Sequence, residues 1–386
     1  MRIGAEARWM GRHMTGFGRY ARNLLRELKP LQPPGSFSIY VDEPYEIPEL
    51  FADGGMERIV VPWRPPFYKQ LGVPLDIVRR RRGFDLFHFL YNAPPLWTPC
   101  PFVLTLHDLT YLHVPDMVSW VNRTTSWFQL RLKAARAERI IALSENTRRD
   151  IVRWLRIPES RIDVVYHGVE PAFAPAPPER KAALARRLRL DRPFLLYVGT
   201  YLPHKNLDTL IRAFARLAGS SAGPLELVLA GKPGRNSAII QRLVRQLGLE
   251  SRVRMPGFVP EEDLPALYSL CSAFVFPSKY EGFGMPLLEA MACGAPVLSS
   301  RSSCLPEVGG DGAAYFRTED EEGLAGLLER ILGDEDFRRD LVRRGRERAG
   351  QFSWRDAAKQ TLSAYQRALN RSQVPDAEWE PSATPQ

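Results

Sequence analysis

Short apolar runs alternate with helical spacing along most of this chain. After an N-terminal segment, the runs are Phe37–Val41, Ile59–Val61, Leu86–Phe89, Phe102–Leu106, Arg139–Leu143 and Ile162–Tyr166. Their length and β-branched or aromatic content predict buried strands. Helical spacing falls between several of them, over Tyr20–Leu28 and Trp120–Ala137. Residues 171–193 break the pattern, because Pro171-Ala172-Phe173-Ala174-Pro175-Ala176-Pro177-Pro178 suits neither strand nor helix. A second alternating series follows: Phe194–Val198, Leu225–Ala230, Val253–Met255, Ala273–Phe276 and Pro296–Ser299. Strands alternating with helices predict parallel sheets covered on both faces. The expected fold is therefore α/β, with two doubly wound, Rossmann-like domains facing each other across a cleft. The expected divisions are an N-terminal domain over 1–172, a linker over 173–192 and a C-terminal domain over 193–352. A helix over 353–372 returns to the N-terminal domain, and a disordered tail over 373–386 follows. Ligands of such domains bind at the carboxyl ends of the strands, here inside the cleft.

Composition narrows the class. A chain of 386 residues has room for two cores. No apolar run approaches the ~20 residues of a spanning helix, and the N-terminus has no charged-then-apolar export pattern, so a cytoplasmic protein is expected. Cys100, Cys271, Cys293 and Cys304 show no CxxC spacing and read as reduced thiols rather than a zinc site. The formal charge is +9, and residues 1–170 hold 24 Lys/Arg against 18 Asp/Glu. Nothing resembles a nucleic-acid motif, so this balance suits phosphates or an anionic membrane face.

The densest chemistry lies between Pro277 and Gly294. A loop with Gly282 and Gly284 follows the strand Ala273–Phe276, Pro286 suits the first turn of a helix, and Gly294 suits its end. Glu281 then sits in the loop and Glu289 about one turn into the helix, flanking free N–H groups that favour an anion. Lys205 follows the strand Phe194–Val198 and is the candidate phosphate cation. Gly16 and Gly18 offer a second close-approach loop. His107, at the end of a buried strand, precedes Asp108, which can orient it or act as base toward an acceptor hydroxyl. Gly231, Lys232 and Phe258 follow strands of the second domain and either flank a nucleotide base or form ordinary turns.

These segments resemble glycosyltransferase family 4, of the GT-B superfamily, and its mannosyltransferase-like members. Glu281 and Glu289 match its E-x7-E signature, and Gly16-Phe17-Gly18-Arg19-Tyr20 its glycine loop. Thr105–Leu109 matches its histidine segment, and Val198–Leu207 its lysine loop. Ser144-Glu145-Asn146-Thr147, His167-Gly168-Val169-Glu170 and Leu305-Pro306-Glu307-Val308 also fit in order. The resemblance implies a retaining, same-side transfer of a hexose from a nucleotide-sugar donor to a hydroxyl acceptor, in polysaccharide or glycolipid assembly. It implies GDP-mannose as first donor and a UDP-hexose as second. Glu281, His107 and Asp108 would be catalytic. Gly16, Gly18, Thr200, Lys205, Gly282, Phe283, Gly284, Met285 and Glu289 would bind the donor, with Glu289 on the ribose hydroxyls. No DxD pair sits at a strand end, so neither a metal nor another cofactor is expected. Thr200 and His204 stand where the family often has an arginine, and Arg19 or Arg235 are candidates to compensate. A nicotinamide dehydrogenase would need a strand followed by GxGxxG. A sensor without turnover would not need Glu281, Lys205 and His107 together.

On the acceptor side, Pro65-Pro66-Phe67-Tyr68-Lys69, Arg79–Arg82 and the segment with Trp120, Arg123, Trp127, Phe128, Arg131 and Lys133 interleave aromatic and basic residues. They read either as a core-packing stripe beside a solvated basic face or as a surface for an anionic bilayer, which would suit a lipid-linked acceptor.

Overall fold

The computed structural model describes residues 1–371, except 9, 11–15, 45–46, 53, 62–70, 80–82, 93, 115–116, 118 and 220–223. Pro65–Lys69, Arg80–Arg82 and the tail lie outside the described residues. The first sheet has β1 (Ile3–Glu6), β2 (Phe37–Val41), β3 (Met56–Val60), β4 (Leu86–Phe89), β5 (Phe102–Leu106), β6 (Arg139–Ala142) and β7 (Ile162–Val164), in the order β3-β2-β1-β4-β5-β6-β7. The second has β8 (Phe194–Val198), β9 (Glu226–Ala230), β10 (Val253–Gly257), β11 (Ala273–Phe276), β12 (Val297–Ser300) and β13 (Ala314–Phe316), in the order β10-β9-β8-β11-β12-β13. Every pairing is parallel, as central strands apolar on both faces require. The edge strand β13 escapes the sequence pattern because it has three residues and is half-buried.

Strand order decides where function can sit. The order reverses between β1 and β4 in the first sheet, and between β8 and β11 in the second. At such a switch point the connections leave the two strands on opposite faces, which opens a crevice at their carboxyl ends. The helix α1 (Gly16–Leu28) follows β1, α2 (Trp120–Ala134) and α3 (Glu145–Asp150) flank β6, and α5 (Met285–Ala292) follows β11.

The stretch expected to be a linker contains a helix, α4 (Pro178–Leu188). Pro177 and Pro178 end the irregular segment and start the helix, where a missing N–H costs nothing. Leu184 is buried, and α4 packs on the helix Leu264–Leu270. The crossing between domains is double. Val169 N–H donates to Phe352 O at 3.1 Å where the chain leaves and returns. A Cβ on Gly168 would lie 2.0 Å from the Trp354 nitrogen, so only glycine fits there.

The helix α6 (Trp354–Arg371) then packs on α1 and the N-terminal sheet. Tyr365 Oη lies 2.7 Å from His88 Nδ1, and Thr105 Oγ1 lies 2.8 Å from its Nε2. Burial, with a smaller push from His107, lowers the His88 pKa to about 3. The folded protein thus keeps His88 neutral, whereas the unfolded chain takes up a proton near pH ~6.5. Below that pH the unfolded state binds more protons, so stability falls as the pH falls. Urea unfolding between pH 7 and 4 should show this loss, and His88→Asn should lower the slope by about one proton. An unchanged slope would remove His88 from the titrating set.

Candidate active site

The loops that follow β8 and β11 meet because those strands are neighbours. Lys205 Nζ lies 2.6 Å from Glu281 Oε1, both largely buried. Burial alone would raise the Glu281 carboxyl, but Lys205, then His204, and the hydrogen bond from Lys205 hold it below its ordinary range. The Glu281 N–H donates to Ser303 Oγ at 2.9 Å. The loop then turns through Gly284, whose φ of +94° marks the N-cap of α5. Gly16 approaches from the other domain: a Cβ there would lie 3.6 Å from Met285 Cε. Gly18 is buried within α1.

Gly282 also has a packing role that its motif position does not announce. A Cβ on it would lie 1.9 Å from the His107 carbonyl oxygen. Its missing side chain makes room for the facing domain. Phe283 has its ring in the interdomain core. Its ring lies 4.6 Å from that of His167 and 5.9 Å from that of Phe352, inside an aromatic cluster between the domains.

Glu289, one turn into α5, is 4% exposed. Arg19 Nη1 lies 2.8 Å from its Oε1, and Tyr268 O–H donates to its Oε2 at 3.2 Å. Arg19 also reaches Glu261 at 3.0 Å and Glu170 at 3.1 Å, while Arg22 reaches the same two at 3.1 and 2.9 Å. Burial lowers the Arg19 pKa, but the three carboxylates outweigh it and hold it above the ordinary arginine value. Against burial, Arg19 and Arg22 lower the Glu170 pKa; burial and Glu170 together raise that of Glu261 despite Arg19. This buried cluster was not foreseen from the sequence. Its one local signal is Arg19 and Arg22 at helical i,i+3 spacing.

Arg19 is thus engaged with carboxylates, and Arg235 donates to the Met117 carbonyl at 3.0 Å. Neither fills the place of the missing loop arginine in this arrangement. His204 Nδ1 lies 3.2 Å from Met117 Sδ, and burial, then Lys205, lowers its pKa to about 4. The Thr200 carbonyl accepts from Tyr197 O–H at 3.3 Å.

His107 lies at the end of β5 and donates through Nε2 to the Leu90 carbonyl at 2.8 Å. Burial lowers its pKa to about 4, against the opposing pull of Leu90 and Asp108, so it is neutral at pH 7. Asp108 does not orient it by a hydrogen bond. Asp108 Oδ1 instead accepts from the Thr110 N–H at 2.9 Å, two residues on, where the turn Thr110–His113 begins. In the second domain, Lys232 Nζ lies 5.0 Å from the centre of the Phe258 ring, which is 59% exposed. Gly231 crosses Gly199 so closely that a Cβ would lie 2.0 Å from the Gly199 oxygen. Gly231 is therefore a packing glycine, while Lys232 and Phe258 form an accessible cationic and aromatic platform.

A cavity of about 380 Å³ opens between the domains, lined by His113, Asn146, Lys279, Tyr280, Ser302 and Ser303. Among the described residues, no group of His, Cys, Asp and Glu is arranged to hold a metal ion. On the acceptor side, the α2 stripe divides. Trp127 donates to the Trp154 carbonyl at 2.7 Å and Lys133 is buried, whereas Trp120 is 69% and Phe128 54% exposed.

Two family models match the chain, "Glycosyltransferase Family 4" over residues 14–173 and "Glycosyl transferases group 1" over 180–348. An O-antigen chain mannosyltransferase B from Escherichia coli is 28% identical, over 91% of this chain and 96% of that protein. The serotype-specific mannosyltransferase WbdA from Escherichia coli is 35% identical over 75% of this chain, but the chain spans only 36% of that longer protein. Among solved structures, Anabaena HepE in complex with UDP and glucose has a TM-score of 0.77 at 19% identity, covering 95% of this chain and 99% of that one.

The ion cluster makes a direct prediction. Arg19→Met leaves buried Glu289 without its cation, with Arg22 alone on Glu170 and Glu261, and should destabilise the protein by ~3–5 kcal/mol. Urea unfolding measures this, with Arg19→Lys expected to lie between the two. A loss below ~1 kcal/mol would mean the cluster contributes no more than a surface pair.

Proposed function

We propose, from the premise that the chain belongs to glycosyltransferase family 4 with the GT-B fold, that it transfers mannose from GDP-mannose to a hydroxyl acceptor with retention. The observation that carries this reading is the Lys205–Glu281 pair beside the N-terminus of α5, at the switch point of the second sheet. A departing nucleoside diphosphate gathers negative charge on phosphate oxygens. An ammonium with donors to spare and the positive end of α5 stabilise that charge without late reorganisation. In this reading Lys205 meets the diphosphate, Glu289 accepts from the ribose hydroxyls, and Glu281 from hydroxyls of the transferred sugar. The Lys232–Phe258 platform suits the base.

Retention follows from same-side attack. The acceptor oxygen bonds to the anomeric carbon as the carbon–oxygen bond to phosphate breaks, and the acceptor proton passes to the leaving phosphate. Glu281 is held by Lys205, which supports a role in charge stabilisation rather than as a nucleophile. Lys205 and α5 supply the charge that a metal supplies in other transferases. The mannosyltransferase relatives favour mannose, and the UDP bound to HepE supports a nucleotide donor while keeping a UDP-hexose as the second reading.

A thermal-shift panel of GDP-mannose, UDP-glucose and UDP-galactose tests the donor. GDP-mannose should stabilise most, and Glu289→Ala should abolish the shift. Glu281→Ala should keep the shift but lower turnover ~100-fold or more, with NMR of the wild-type product showing the donor's anomeric configuration. Stabilisation by UDP-sugars alone would overturn the GDP reading, and an inverted product the retaining one.

We further propose that the exposed face of α2 rests on an anionic membrane, placing a lipid-linked acceptor near the cleft. Residues 120–136 hold no Asp or Glu, and Arg123, Arg131 and Arg136 stand beside exposed Trp120, Val121, Phe128 and Leu132, while Lys133 is buried. No helix among the described residues is long and apolar enough to cross a membrane. Flotation with phosphatidylglycerol vesicles at low salt should carry the protein upward, and Trp120→Ser/Phe128→Ser should leave it at the bottom. Failure of the unsubstituted protein to float would reject the proposal.

A further inference from the structure

Two segments singled out in the sequence have no part in the chemistry so far: Ser144–Thr147 and Leu305–Val308. The structure brings them together across the cleft. Glu307 Oε1 accepts from the Glu145 N–H at 2.6 Å and its Oε2 from the Asn146 N–H at 3.0 Å. A carboxylate of the C-terminal domain thus caps α3 of the N-terminal domain. The chain around Glu307 is held in turn by Arg348, which donates to the Glu307 carbonyl at 2.6 Å and the Val308 carbonyl at 2.9 Å.

The same turn of α3 grips the loop that bears Glu281. Ser144 Oγ and Thr147 Oγ1 lie 2.9 and 3.3 Å from the Gly282 carbonyl oxygen, whose two lone pairs can accept from both. Both hydroxyl-bearing residues are fully buried. Tyr280, on the other side of Glu281, donates its O–H to Asp150 Oδ2 at 2.5 Å and stacks on the His113 ring at 4.4 Å. The residues immediately before and after Glu281 are therefore both fastened to the facing domain. These are hydrogen bonds between domains, so domain opening must break them.

We propose that Ser144, Thr147, Asp150 and Glu307 form an interdomain clasp that sets the position of Glu281 when the cleft closes. They act through Tyr280 and Gly282 and are positioning residues. The catalytic half of this inference rests on the glycosyltransferase reading; the mechanical half does not. Two residues that the clasp holds, Asn146 and Tyr280, line the cavity between the domains, so closure also shapes that cavity.

Hydrogen exchange and steady-state kinetics on Glu307→Gln and Tyr280→Phe test the proposal, with Thr147→Ser as the conservative control. Both variants should speed amide exchange at 281–283, and Glu307→Gln also at 145 and 146. Both should lower kcat, in transfer or donor hydrolysis, by up to ~100-fold, the cost of a misplacement on the order of 1 Å. Affinity for GDP or UDP by calorimetry should change less than about twofold, and Thr147→Ser should behave as the parent. Unchanged exchange at 281–283 in folded variants would overturn the clasp. Parallel loss of kcat, nucleotide affinity and melting temperature would reduce it to ordinary packing. Absence of turnover in the parent protein with every sugar nucleotide would instead sink the glycosyltransferase reading, and the exchange result would still decide the clasp.

Discussion

One buried guanidinium joins the parts of this molecule. Arg19 stands on the first helix of the N-terminal domain and reaches Glu170 at the crossing, Glu261 after β10 and Glu289 on α5. Burying three carboxylates with fewer cations is costly unless each has a close partner. Arg19 and Arg22 meet that requirement only when the two domains are in this mutual position. The cluster therefore specifies closure geometrically, while its net contribution to stability depends on desolvation as much as on attraction. It also keeps Glu289 held at a fixed place by Arg19 and Tyr268.

Around that anchor, the chemistry is assembled by topology. Lys205 and Glu281 are 76 residues apart and meet at 2.6 Å because β8 and β11 are adjacent across the switch point. The first domain contributes from its own switch point, with α1 after β1 and the close of β5 carrying His107. His107 is neutral and donates to a backbone carbonyl, so it is a fixed dipole rather than a proton carrier near neutral pH. Lys205 and the N-terminus of α5 likewise have their charges and dipoles set by the fold itself. Preorganisation of this kind is how a protein stabilises developing charge without reorganising at the moment of reaction.

The local elements were legible in the chain because their signals are local. Continuous apolar runs mark strands buried on both faces, and Pro286 and Gly294 bracket α5 correctly. Where the pattern misled, the reason is also local. Prolines at 177 and 178 resemble a linker yet begin α4, and β13 is too short to carry a period. Asp108 stands next to His107 in sequence, but consecutive residues leave a strand in different directions, and Asp108 accepts from the Thr110 N–H instead. Phe283 and Gly282 lie in the signature segment, yet one joins an aromatic cluster and the other makes room for the His107 carbonyl.

The amino-acid sequence by itself determined the α/β class, the pair of doubly wound domains, and which carboxylates, lysine and glycines stand in the loops after the strands. It did so because periodicity, turn residues and motif spacing are encoded over a few positions. Only the tertiary structure decided that Lys205 pairs with Glu281, that Arg19 serves carboxylates, and that Glu307 caps α3 from the opposite domain. Those contacts join residues from 76 to 270 positions apart. Strand order and domain closure bring them together, and no local spacing along the chain records either.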